Sequence, residues 1–113
     1  MDKVLVIIPA RLGSQGIPNK NFRQLGSVPG TSPVDLAILC AKNIRAATEI
    51  VVSTDNVELY SVPDVCILIR PASLAQATTP MSAVIEHVFQ EIPGPPDQIV
   101  VLLQPTQPLR KVK

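Results

Sequence analysis

Apolar residues fall along this chain in two alternating rhythms. Residues 4–8 form an unbroken aliphatic run with no polar alternation, which predicts a strand buried on both faces, as in a parallel sheet covered by helices. Short apolar runs recur at 49–53, 65–69 and 99–103. Between them the spacing changes. Ser32-Pro33-Val34-Asp35 reads as a helix start, with Ser32 as N-cap, Pro33 in the first position and Asp35 at the positive end of the dipole. Leu36, Leu39, Cys40, Asn43 and Ile44 continue at helical spacing and predict a helix to about Arg45 that covers one sheet face. A second helix opens at Thr79-Pro80, carries Met81, Val84, Ile85, Val88 and Phe89 as a single apolar stripe, and ends before the prolines of 93–96. Residues 22–32, with Gly26, Pro29 and Gly30, read as an irregular connection, and Pro63 leaves room for only a turn or two of helix after Asn56. Strand alternates with helix throughout, so a right-handed βαβ series in one parallel sheet, a single α/β domain over 1–113, is the expected topology.

Composition narrows this picture. With 46% hydrophobic residues but only 3% aromatic, the core must be aliphatic, as suits a parallel α/β domain. A formal net charge of +1 gives no footprint for nucleic acid or an acidic membrane, so any anion site rests on local placement of charge. Cys40 and Cys66, far apart in apolar surroundings, read as small buried hydrophobes and not as a disulfide or a metal pair. The apolar run of 4–8 meets Pro9 and Arg11 too soon for a signal peptide and is far short of a membrane span, so a cytoplasmic chain is expected.

The chemistry concentrates where strands end. After Ile8 the chain enters a loop at Pro9 holding Gly13, Gly16, Arg11 and Lys20. Glycines let such a loop aim successive backbone N–H groups at one point, which with two fixed cations suits a polyphosphate. The same spacing also fits an ordinary βα turn with two solvated cations. Asp55 follows the second strand, where it can face a ligand or cap the next helix. Arg70 follows the third strand, and on residue type alone it reads as a surface cation. Gln104, Pro105 and Thr106 follow the fourth. His87 points away from its helix's apolar stripe, which suggests a solvated or interface histidine in preference to a general base.

The loop, read as IPARLGSQGIPNKN over 8–21, resembles the signature of the acylneuraminate cytidylyltransferases, the CMP-sialic acid synthetase family. The resemblance continues in order through VVSTD (51–55), RPASLA (70–75) and LLQPTQPLR (102–110). It covers nearly the whole chain but only the N-terminal half of a typical member. It implies a Rossmann-like, mostly parallel sheet of the nucleotide-diphospho-sugar transferase type, here truncated after the fourth strand. The implied reaction is attack by the anomeric hydroxyl of a nonulosonic acid on the α-phosphate of CTP, with release of pyrophosphate and help from Mg2+.

On that resemblance Arg11 and Lys20 are the catalytic candidates. Ala10, Arg11, Gly13, Ser14, Lys20, Asn21 and Arg70 form the nucleotide-binding set, with Asn21 and Arg70 near the base, and Gln104 and Thr106 reach toward the sugar acid. Three departures accompany it. Gln15 stands where the family carries lysine, removing a charge-assisted contact of about 1.5 to 3 kcal/mol. Ala77, Thr78 and Ala83 stand where acidic residues are common, and Gln107 replaces a serine. No carboxylate pair in the sequence makes a Mg2+ site, because the family's metal-binding aspartates lie in its second half. The apolar fourth strand is expected at an open edge, favouring a homodimer or edge-strand association. Two rival readings are a non-catalytic shortened homologue serving as a nucleotide-binding or interaction module, and a related enzyme using a Kdo-type sugar or GTP.

Overall fold

In the computed structural model, residues 3–11, 32–56, 64–76 and 78–105 are described. Strands β1 (Val4–Ala10), β2 (Glu49–Thr54), β3 (Cys66–Ile69) and β4 (Ile99–Leu102) form one parallel sheet in the order β3-β2-β1-β4. Helix α1 spans Pro33–Lys42 and α2 spans Met81–Glu91, with a 3-10 turn at Ala72–Leu74. The expected parallel α/β architecture is present.

Alternation along β1 assigns its side chains to two layers. Val6, Ile8 and Ala10 join Ile50 and Val52 of β2 beneath α1, while Leu5, Ile7 and Val51 lie on the other face with Val88 of α2. All seven β1 residues are buried, as a central strand covered on both faces requires. Residues of β3 and β4, by contrast, are half-buried or exposed, because among the described residues each is an edge strand.

β1 runs through Pro9 to Ala10, two residues beyond the expected end. The reason lies in the register. Leu103 N–H donates to Ile7 O at 2.9 Å, so Ile7 turns its backbone groups toward β4. Pro9, two residues on, turns its nitrogen to the same side, where β4 has already ended opposite Ile7 at Leu102. A missing N–H at that position ends the β1–β4 ladder without disturbing the pairing with β2. On the other side Pro9 remains level with Ser53 and Ala10 with Thr54. The start of β1 is tied down by Thr48, whose Oγ1 accepts from Val4 N–H at 2.9 Å and donates to Val4 O at 2.8 Å.

Ser32 and Asp35 form the expected start of α1. Asp35 N–H donates to Ser32 Oγ at 3.1 Å, and the Asp35 carboxylate accepts from Ser32 N–H at 3.2 Å and Ser32 Oγ at 2.8 Å. The helix stops at Lys42, short of Arg45. Asn43 closes it by donating its side-chain amide to Leu39 O and its N–H to Cys40 O. The buried stripe is Val34, Ala37, Ile38 and Ala41, whereas Leu39 is 59% exposed and Cys40 is also exposed. Two alanines facing the sheet allow a close approach that larger leucines would prevent, which turns the expected stripe outward. Cys66 is exposed as well, at the first position of edge strand β3. Neither cysteine is the buried hydrophobe expected from its neighbours, and both are free thiols.

In α2 the inward stripe is Val84 and Val88, flanked by the partly buried Ile85, while Phe89 is 39% exposed. His87, expected to be a solvated or interface histidine, is half-buried, and its Nδ1 is enclosed without a hydrogen-bond partner among the described residues, which disfavours the solvated alternative. β2 gains Thr54, while β3 and β4 are each one residue shorter than expected, at Val65 and Leu103 respectively. The short helix expected after Asn56 falls on 57–63, outside the described residues.

Candidate functional site

The strand order locates the place to look. The connection from β1 through α1 to β2 crosses one face of the sheet, and α2, on the other face, leads back to β4 on the far side of β1. Connections thus diverge between β1 and β4, and in open parallel sheets ligands bind beyond the carboxyl ends of the strands at such a point.

Register then decides which side chains share that edge. Ala10 is level with Thr54, and Thr54 with Ile69. The next residues are Arg11, Asp55 and Arg70, so three adjacent strands deliver a cation, an anion and a cation to one level. Ile7 is level with Leu102, and continuing that register brings Gln104, which is exposed, level with Pro9. Ala10 itself is fully buried as the last residue of β1, and Arg11 is half-buried.

Arg70 is the most constrained member of the row. It is 6% exposed, not the surface cation that its residue type suggests. Nε donates to Ser53 Oγ at 3.0 Å, Nη2 to Ser53 O at 3.0 Å, and Nη1 to Leu74 O at 3.1 Å. Its backbone N–H donates to Thr54 O at 2.8 Å, continuing the β2–β3 ladder past Ile69. Burial pushes the guanidinium pKa below its ordinary value; Asp55 pulls it back up and Arg11 pushes it further down. Arginine nonetheless stays charged at any physiological pH, so the edge holds a desolvated positive charge beside a second one, with one carboxylate between them. Such an arrangement gains from an anionic ligand.

Asp55 follows Thr54, whose Oγ1 accepts from Asn56 N–H at 3.0 Å in a local turn. Whether a helix starts beyond it is a matter for residues outside those described. Gly13, Ser14, Lys20, Asn21 and Thr106 also lie outside the described residues, as does Gln15. Of the expected site, the structure therefore brings together Ala10, Arg11, Arg70 and Gln104 at one edge. His87 lies on α2 and takes no part in that row.

Ser53 and Leu74 are functional candidates that sequence reasoning missed. Leu74 acts through its carbonyl, which leaves no trace in residue type. For Ser53 a signal existed: Ser53 and Thr54 break the apolar run of β2 yet are fully buried, and buried hydroxyls need partners. Among the described residues no three His, Cys, Asp or Glu side chains come together.

In an open parallel α/β sheet the crevice beyond the carboxyl ends of the strands is where ligands bind, and in this chain that edge carries the cations Arg11 and Arg70. The chain belongs to the cytidylyltransferase family, whose model matches residues 5–113. It is 36% identical to the CMP-N,N'-diacetyllegionaminic acid synthase of Legionella pneumophila subsp. pneumophila over 120 aligned positions, covering 96% of this chain and 48% of the relative. It is also 36% identical to the post-translational flagellin modification protein B of Campylobacter coli over 62 positions, 55% of this chain and 25% of that one. The chain thus spans about half the length of the synthase. No helix among the described residues is long and apolar enough to cross a membrane.

Proposed function

We propose that this chain forms the nucleotide-holding part of a cytoplasmic cytidylyltransferase that transfers CMP from CTP to a nonulosonic, sialic-type sugar acid. The observation that carries the reading is the row of Arg11, Asp55 and Arg70 at one register level beside the point where the connections diverge. Family membership and the name of the Legionella relative supply the nucleotide and the class of acceptor.

In this reading Arg11 and Lys20, with the N–H groups about Gly13 and Ser14, hold the triphosphate. Asn21 and Arg70 lie toward the base, and Gln104 and Thr106 toward the sugar acid. The anomeric hydroxyl oxygen forms a bond to the α-phosphorus as the bond to the bridging oxygen breaks, pyrophosphate departs, and the hydroxyl proton is lost to solvent. Fixed cations stabilise the charge that develops on the phosphate oxygens. Mg2+ dependence belongs to the proposal as well.

Calorimetric titration with CTP, with and without Mg2+, tests it, using GTP and the Arg11→Ala variant as controls. Saturable CTP binding is expected, about tenfold weaker in Arg11→Ala from loss of one charge-assisted contact. Equal binding of GTP would contradict the choice of nucleotide. Absence of binding by a folded chain would favour the non-catalytic homologue.

A further inference from the structure

A guanidinium has five N–H donors, and three of those on Arg70 are committed to Ser53 Oγ, Ser53 O and Leu74 O. One N–H remains on each terminal nitrogen. The plane of the group is therefore set by its protein partners before any ligand arrives. Both ends of the grip matter. Ser53, fully buried in β2, supplies two of the three acceptors from one residue, a hydroxyl and its own carbonyl. Leu74 ends the 3-10 turn Ala72–Leu74, whose own closure depends on Leu74 N–H donating to Pro71 O at 2.9 Å and Ala75 N–H to Ala72 O at 3.1 Å. The turn has no buried residue of its own and no side-chain cap.

We infer that Ser53 is a positioning residue: it sets the guanidinium plane of Arg70 and, through that guanidinium, fixes the turn after β3 at the ligand edge, so that the two uncommitted N–H groups are presented in one orientation. For a ligand, the inference rests on the CTP reading above. Arg70 then contributes to the nucleoside end, whereas the phosphates are held from β1. Ser53 acts on that end without touching it. Removing the hydroxyl takes away the acceptor at Nε and leaves Arg70 charged and held only by Nη2 to Ser53 O and Nη1 to Leu74 O, and an arginine whose plane is less firmly fixed loses part of the geometric advantage of its fork.

Two measurements on Ser53→Ala test this. The first is amide hydrogen exchange, which needs no ligand. Exchange at Leu74 and Ala75 is expected to accelerate by roughly tenfold or more, while Val6, Ile7 and Val52 in the core keep their protection. The second compares CTP with inorganic tripolyphosphate by calorimetry, well below the unfolding temperature. CTP affinity is expected to fall roughly tenfold and tripolyphosphate affinity to stay within about twofold. Arg70→Lys, which keeps the charge but not the fork, is expected to reproduce both results and serves if Ser53→Ala does not fold. Unchanged exchange at Leu74 and Ala75 overturns the inference, as does an equal loss for both ligands or no loss for either. If the unaltered chain binds neither ligand, the CTP reading fails, and exchange alone decides whether Ser53 fixes the turn.

Discussion

Arg70→Ala removes a buried cation from three neutral acceptors and takes from Ser53 Oγ, Ser53 O and Leu74 O the donors that Arg70 supplies. A loss of about 2 to 4 kcal/mol in unfolding free energy is expected in urea titrations, the range for breaking a buried hydrogen-bond network. The resemblance in sequence pointed to Arg70 through a nucleotide, but its burial and its grip on Ser53 depend on which residues the register makes level, and single residue types do not encode that. Cys66 teaches the same at smaller scale. Apolar neighbours suggested a buried thiol, yet the first residue of an edge strand remains exposed. Partial burial, then the negative charge of Glu49, raise the Cys66 pKa above its usual value. In a Cys40→Ser background, alkylation by iodoacetamide near pH 8 is expected to run several-fold slower than for free cysteine at the same pH, because the thiolate is the nucleophile. The sign for stability follows. An acid whose folded-state pKa is raised contributes stability that is present below its unfolded pKa and lost as pH rises through the interval up to its folded value.

For helices, start signals were legible and inward faces less so. Ser32, Pro33 and Asp35 specify the start of α1 by local hydrogen bonding alone, and the capping box is present. Ser32→Ala is expected to lower stability by about 1 kcal/mol in thermal unfolding. The inward stripe, however, depends on what the sheet offers. Against Val6, Ile8 and Ala10 the helix turns Ala37 and Ala41 inward and leaves Leu39 in solvent, a choice that counting leucines reverses. In α2 the expected stripe was correct in phase, but its members are not equal. Val88→Ala is expected to destabilise by about 2 kcal/mol, more than Phe89→Ala despite the smaller side chain, since Val88 is fully buried and Phe89 is 39% exposed. Equal losses in urea unfolding would contradict that packing. Asp64, just before β3, holds a φ of 65°, a left-handed conformation that glycine adopts without strain. Asp64→Gly is accordingly expected to be neutral or slightly stabilising.

In the whole molecule, a chain of alternating short aliphatic runs and helical stripes was enough to read a parallel α/β sheet, because both faces of β1 had to be covered. Strand order was not readable from periodicity, and it is the order β3-β2-β1-β4 that turns four separate strand ends into one edge with a point of divergence beside β1. Among the described residues β4 has a strand neighbour on one side only, and Ile99 on it is 50% exposed. Self-association of the isolated chain is therefore expected in size-exclusion light scattering, and a monodisperse monomer would contradict it. The central claim is that the carboxyl edge beside β1 and β4 receives the nucleotide. Backbone amide shifts mapped during a CTP titration address it most directly. The account predicts perturbations at Ala10, Arg11, Ile69, Arg70 and Gln104, with Thr48, Gln98 and Ile99 at the opposite edge unmoved. Perturbations centred on Thr48, Gln98 and Ile99, or none at either edge, would contradict it.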